Sequence, residues 1–364
     1  MLFKRMNKRS LISNIVAIVV LLVISIVAEG SKTLPELLGL IFIYSIAALA
    51  LNVICGCLGE FVLGHGGFLL IGYTVAVIIA SLLKNAIDPS FLRASIYTPR
   101  GAELHLLGYL INIAIILLTG IVTGFIGFIV GTIALGRLKG DYLAIVTLGI
   151  SLIFVNVCKN IPSLGGSDGI GSSTYLGGST LLYAIFLIVV IFLIMSFMKS
   201  RFGRAILACR DDNIAAEASG IPVNKVKVIA FTFATIIAGI AGALLANYTT
   251  LKPIKFGQDF SILFLIIIVL GGLGSLTGSI IASSIIVLYE NWFCMQSWVP
   301  DFFSSNPKII YGIVLVLIML FRTSGILGNA EFTWAWFYKT IKKIRFKIKS
   351  LFTKKPSKEV ENNG

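Results

Sequence analysis

KSRFGRAILACRDDNIAAEASGIPVNKVKV, Lys199 to Val228, is the one long charge-rich segment that stands between two strongly apolar blocks. LLYAIFLIVVIFLIMSF, Leu181 to Phe197, precedes it, and IAFTFATIIAGIAGALLA, Ile229 to Ala246, follows it. Each block approaches the ~20 residues that an α-helix needs to cross a bilayer. The polar stretch sets Lys199, Arg201, Arg204, Arg210, Lys225 and Lys227 against Asp211, Asp212 and Glu217. Within it, Asn213 to Gly220 predicts a short helix. Asp211, Asp212 or Asn213 can cap its first turn, where acidic groups suit the helix dipole. Ala215, Ala216 and Ala218 keep the helix small-sided, Glu217 is its one acidic residue, and Gly220 followed by Pro222 ends it. A small-faced helix held between two spans has a shape that enters a groove on another protein. The plain alternative is a loop that joins two spans.

Composition agrees with a membrane chain. The 364 residues are 57% apolar and 13% charged, with a mean hydropathy of +0.98. A soluble domain of this length carries far more charge. Apolar runs spread from residue 11 to residue 321, which predicts one membrane domain rather than several soluble ones. Spans are expected near 11–28, 37–54, 66–83, 105–134, 142–158, 180–198, 228–248, 260–272, 275–290 and 307–321. The fold class is therefore an all-α polytopic membrane protein of about 8–10 transmembrane helices with glycine-rich interruptions. The fourth run is long enough to tilt or to extend beyond the bilayer. The eighth and ninth are short enough to be one interrupted element.

The charges set an orientation. Lys4, Arg5, Lys8 and Arg9 precede the apolar run Leu11 to Ala28. That run is too long for a signal-peptide core and lacks a small-x-small site after it, so an uncleaved first span is expected. With the N-terminus inside, alternate loops place 22 of the 30 Lys and Arg on the inner side, while the 16 acidic residues divide eight and eight. The positive-inside rule then puts both termini in the cytoplasm and explains the +14 net charge without nucleic acid. The chain divides into a basic N-terminus at 1–10, a transmembrane domain at 11–325 with the 199–227 cytoplasmic loop, and a basic tail at 326–364. The tail WAWFYKTIKKIRFKIKSLFTKK, Trp334 to Lys355, either lies along the anionic leaflet or serves only as a topology signal. The five cysteines, Cys55, Cys57, Cys158, Cys209 and Cys294, read as small apolar fillers, and no metal site is expected.

Three glycine-rich stretches interrupt the apolar pattern. LGEFVLGHGGFLLIGY, Leu58 to Tyr73, contains Gly64, His65, Gly66, Gly67 and Gly72, with Glu60 beside them. GRLKGDYLAIVTLGISLIF, Gly136 to Phe154, contains Thr147 and Gly149, and Asp141 can cap the helix that follows its turn. VLGGLGSLTGSI, Val269 to Ile280, contains Gly271, Gly272, Gly274 and Gly278. Such glycines either line a pathway or let helices pack closely. His65 and Glu60 sit at or near membrane depth, where polar groups need partners or water. On the outer side, SLGGSDGIGS, Ser163 to Ser172, is a turn-rich loop where a docking partner would arrive.

These four segments, in this order with the 199–228 stretch, carry a resemblance. IAAEASGIPVNKVK looks like the EAA-type coupling loop of ABC-importer permeases. The chain resembles the M-type (LivM-like) permease subunits of the branched-chain amino acid ABC importers over residues 37 to 325. His65 matches the histidine of the family's LGHxxFxxIGAY element, and Gly136 to Phe154 is similar to its RLRGDYLAIVTLGFGEI element. Two departures stand out. Glu60 replaces a residue that is more often small or apolar, and Ser151 and Leu152 stand where the family often has a Glu. The resemblance implies a transporter subunit without catalytic activity or cofactor of its own, in a bacterial cytoplasmic membrane. It implies a related second permease, two ATPases that use ATP, and an extracytoplasmic binding protein. It implies ATPase coupling through Asn213, Ala215, Ala216, Glu217, Ala218 and Gly220. A substrate pathway would involve Gly64, His65, Gly66, Gly67, Gly72, Thr147, Gly149, Gly271, Gly272 and Gly274. External docking would involve Gly165, Gly166, Asp168 and Gly169. The alternative is an ion-coupled secondary transporter, with Glu60 and His65 its candidate ionisable pair.

Overall fold

In lipid there is no water to satisfy an exposed backbone, so long apolar runs fold as helices that bond internally. The computed structural model describes residues 21–23, 25–27, 34–84, 102–136, 138, 140–161, 164, 166, 179–248, 252–296, 307–321 and 325. Among them there is no strand. The helices are α1 (Leu34–Asn52), α2 (His65–Lys84), α3 (Ala102–Ala134), α4 (Asp141–Asn160), α5 (Thr180–Lys199), α6 (Arg201–Asp211), α7 (Asn213–Ala218), α8 (Val223–Tyr248), α9 (Gln258–Gly271), α10 (Leu276–Asn291) and α11 (Pro307–Phe321). A π-helical segment, Val53–Leu58, prolongs α1, and a 3₁₀ turn, Pro253–Phe256, precedes α9.

Seven helical stretches among the described residues are long and apolar enough to cross a membrane: Leu34–Leu58, His65–Leu83, Gly108–Ala134, Asp141–Asn160, Thr180–Lys199, Val223–Tyr248 and Leu276–Met295. α9 has 14 residues. At about 1.5 Å per residue such a helix covers roughly two thirds of a ~30 Å hydrocarbon core. α9 and α10 are not one interrupted element: they pack against each other across the turn 272–275. Gly272 and Gly274 have φ of 110° and 87° there, a region that L side chains avoid. Of the expected first span at 11–28, residues 21–23 and 25–27 are described, and they are helical; the rest lies outside the described residues. So do the basic N-terminus, the 85–101 segment, Arg137, Lys139 and the tail.

α8 is the hub. It packs along α3 and α2 and also touches α1. Its small residues make this possible: Gly239 abuts Gly72 of α2, and Gly242 abuts the backbone of Leu69. On α3, Gly120, Gly124, Gly127 and Gly131 face Ile240, Ile236, Thr235 and Phe231 of α8. Aromatic pairs close the spaces between helices, with Phe68 edge-on to Phe231 and Tyr73 against Phe256. A second contact group joins α1 to α10, α8, α5 and α9.

Candidate functional site

The polar segment after α5 folds as two helices, not one. Ser200 starts α6, its side chain accepting from Gly203 N at 3.3 Å. Gly203, Ile206 and Cys209, spaced by three, turn inward and are buried. Burial pushes the Cys209 thiol up, and the nearby Lys227 ammonium works against that shift. Of the three expected caps for the next helix, Asp212 serves. Its Oδ1 accepts from Ile214 N at 2.8 Å and Ala215 N at 3.2 Å. α7 ends at Ala218, two residues earlier than expected. Ile221 N donates to Ala216 O at 3.1 Å and Gly220 N to Glu217 O at 2.9 Å. With Gly220 at φ 82°, this is the paired C-terminal bonding of a Schellman motif. Both ends of a six-residue helix are thus fixed, which a helix so short needs in order to persist.

The expected coupling residues divide by face. Asn213, Ala215, Glu217, Ala218 and Gly220 are exposed, whereas Ala216 is buried against the chain itself. Ile214, which sequence reasoning did not select, is 81% exposed and is the large apolar side chain on the outer face. The signal for it was local: an isoleucine between a cap and three alanines.

Behind α7, the segment is fastened to the break at 53–60, on which the turn at 272–275 packs. The Arg210 guanidinium donates from Nη1 to Gly56 O at 3.1 Å and contacts Asp211 at 3.4 Å. Its aliphatic stem lies over Gly59, which has φ 78° at the end of the π segment. Lys227 was expected among the loop charges. α8 begins at Val223, so Lys227 is instead a buried residue in that helix, ion-paired with Glu60. Asn52 closes the same region: its Nδ2 donates to Ser275 O at 2.9 Å and Ser279 Oγ at 3.0 Å. Its Oδ1 accepts from Gly274 N at 2.8 Å. Nothing local in the sequence marks Asn52 or the Glu60 partner, because each pair joins residues far apart in the chain.

The expected pathway residues fall into three places. At the first, Gly64 lies against the backbone of Thr147, and Gly67 lies against Ser151, where α2 starts beside α4. Gly66 N donates to Ser261 Oγ at 2.9 Å. The buried His65 ring places Nε2 2.9 Å from Ala47 O and meets Phe264 edge-on. His65 and Glu60 thus have different partners. Thr147 Oγ1 donates to Ala144 O at 3.0 Å. Ser151 Oγ is buried with no hydrogen-bond partner among the described residues. The second place is Gly72, at the crossing with α8. The third holds Gly271, packed on Gly278, with Gly272 and Gly274 in the turn. Gly149 has open space beside it. Asp141 was expected to cap α4, but it is the first helical residue and Gly140 stands at the cap with no side-chain bond. Of the outer-loop residues, Gly166 is described, with φ 56°. Gly165, Asp168 and Gly169 lie outside the described residues. No group of three or more His, Cys, Asp or Glu among the described residues could hold a metal ion.

A bundle of apolar helices, interrupted by glycine-rich breaks and carrying a capped polar segment between two of its spans, defines a multi-pass membrane protein. The chain belongs to the family described as Branched-chain amino acid transport system / permease component, which it matches over residues 33–320. It is accordingly a permease subunit of an ABC importer. The high-affinity branched-chain amino acid transport system permease protein LivM of Salmonella typhimurium is 30% identical over 321 residues, 78% of this chain and 68% of its own length. LivM of Escherichia coli is 29% identical over 333 residues, 82% of this chain and 70% of its own. A probable branched-chain amino acid transport permease protein LivM of Methanocaldococcus jannaschii is 24% identical over 314 residues, 78% of this chain and 90% of its own. No solved structure matches the chain.

Proposed function

We propose that this permease moves branched-chain amino acids inward across a bacterial cytoplasmic membrane, by alternating access driven by two ATPases docked on its 201–220 segment. A related second permease completes the pathway, and an extracytoplasmic binding protein delivers the solute. The end of the bundle that carries α6 and α7 faces the cytoplasm, as the positive-inside count requires. ATP belongs to the partners, and no cofactor is assigned to this chain. One observation carries the reading. α7 is capped at both ends, backed by buried Ala216, and presents Ile214, Ala215, Glu217 and Ala218 outward. A partner that moves such a helix moves the spans behind it, provided the two states differ in contact energy.

The substrate class comes from the relatives, whose names carry branched-chain amino acid transport. The docking surface is tested by cross-linking. Ile214→Cys in an otherwise cysteine-free chain should cross-link to the co-expressed ATPase, and Tyr142→Cys, exposed at the start of α4, should do so less. Equal or reversed yields would move the docking surface away from α7.

A further inference from the structure

The π segment and its left-handed end at Gly59 are held from both sides of α7. On the N-terminal side is Arg210, one residue before Asp211 ends α6. On the C-terminal side is Lys227, in the second turn of α8, through its ion pair with Glu60. Everything between the two grips is the polar segment that includes α7. Glu60 N, the ordinary helical donor to Gly56 O, is used instead on Ile54 O at 3.3 Å. Gly56 O then accepts from the Arg210 guanidinium, as an orphan carbonyl at a helix end must find a donor. Gly56 in turn lies against the backbone of Gly274, so the second break is stacked on the first. A Cβ at Gly274 would stand 3.8 Å from Arg210 Nη1. One side chain therefore touches or borders both breaks. π segments inside helices are commonly functional rather than accidental.

We propose that Arg210 is a positioning residue for energy coupling: it carries displacement of the 201–220 segment to the paired breaks at 53–60 and 272–275, with the Glu60–Lys227 pair as the second attachment. This rests on the reading that 201–220 docks an ATPase. Each break ends or starts a helix that packs on α1 or α8, so a shift there changes the register of the helices that would bound a pathway. Arg210 is partly exposed, with 31% of its side chain accessible, so its removal leaves the buried core intact. That separates it from a residue whose role is stability alone.

The test uses the assembled complex, with its ATPases, second permease and binding protein, in liposomes. ATP hydrolysis and uptake of radiolabelled leucine are measured together and expressed as leucine per ATP. Arg210→Met is read by the ratio and not by its hydrolysis rate, because Arg210 lies within the docking segment. Its leucine per ATP should fall about tenfold, the size of a typical coupling free energy. Arg210→Lys, which keeps a charge and one donor, should lie between the two. Glu60→Lys with Lys227→Glu should recover the ratio that either single change lowers. If Arg210→Met does not assemble, Arg210→Lys decides: a ratio below wild type supports the inference and a wild-type ratio overturns it. Hydrolysis and uptake that fall in equal proportion, or an unchanged ratio, also overturn it. If the wild-type complex takes up no leucine, or does so without ATP, the docking reading itself fails. If the wild type is ATP-driven and Arg210→Met matches its ratio, only this inference fails.

Discussion

α3 is more apolar than α8, yet α8 lies at the centre: 78% of its most apolar window is buried, against 44% for α3. In water the order would be reversed. In lipid an apolar side chain gains nothing by leaving the tails for another helix, so hydrophobicity does not choose the core. Small residues do. α8 brings Ala234, Ala238, Gly239, Ala241, Gly242, Ala243 and Ala246 to its neighbours, all of them buried. α3 is two-faced. Its glycines at 120, 124, 127 and 131 meet α8, and Ile121, Phe125 and Ile133 point away, each more than 60% exposed. The buried helix is read from its small residues, and the lipid-facing surface from its large ones.

The sharpest break in that comparison is a large side chain at the α8 crossing. Gly242→Leu would drive a branched chain into the backbone of Leu69 and Tyr73. The expected cost exceeds the ~1–3 kcal/mol of ordinary overpacking, because backbone cannot swing aside. The variant should yield no single folded species on detergent gel filtration, whereas Gly149→Ala, with open space beside it, should elute as the wild type does. The reverse pairing would mean that α8 is not the hub.

Equal chemistry at the two helices gives the next effect. Phe231→Ala removes a fully buried ring that packs on Phe68 and Gly131, with an expected loss of about 3–5 kcal/mol. Phe125→Ala, at 65% exposure, should change stability by only about 0.5 kcal/mol. Thermal melting in one detergent compares them, and similar shifts would sink the distinction between hub and shell.

The polar segment between α5 and α8 responds locally. Asp212→Ala removes the two bonds that start α7, about 1 kcal/mol. Amide exchange at Ile214 and Ala215 should quicken about fivefold while the melting temperature stays near wild type. A fall in global stability with no local change would show that the cap supports the bundle and not α7. The smallest effect is at Ser151. Its hydroxyl is buried without a partner, so Ser151→Ala should be neutral or slightly stabilising. A loss above about 1 kcal/mol would mean that the hydroxyl has a partner in the folded protein.

Spans and short-range signals were legible in the sequence, because both are written in neighbouring residues. Apolar runs of membrane length became helices, Asp212 was among the three caps foreseen, and Gly220 ended α7 in the left-handed conformation that a stop signal implies. The misreadings share a cause. Lys227 looked like one more loop charge because it follows Pro222 and Lys225, and its partner Glu60 is 167 residues away. Asn52 joins Gly274 and Ser275 across a similar distance. Ala216 looked like one of three equivalent alanines, but a six-residue helix has an inner and an outer face that composition does not mark. α6 was hidden by its own charges, although Gly203, Ile206 and Cys209 already held the spacing of a buried stripe.

If partner ATPases drive this bundle through its 201–220 segment, as proposed, uptake must depend on both ATP and an intact α7. The assembled complex is placed in liposomes with its binding protein, and uptake of radiolabelled leucine is followed with ATP, without ATP, and with an imposed proton or sodium gradient in its place. The same set is run with Glu217→Arg, which puts the opposite charge on the exposed face of α7. Uptake by the wild type is expected only with ATP, and Glu217→Arg should lose uptake together with bound ATPase at normal membrane abundance. Gradient-driven uptake without ATP, unchanged by Glu217→Arg, would contradict the proposal and point to ion coupling around Glu60 and His65.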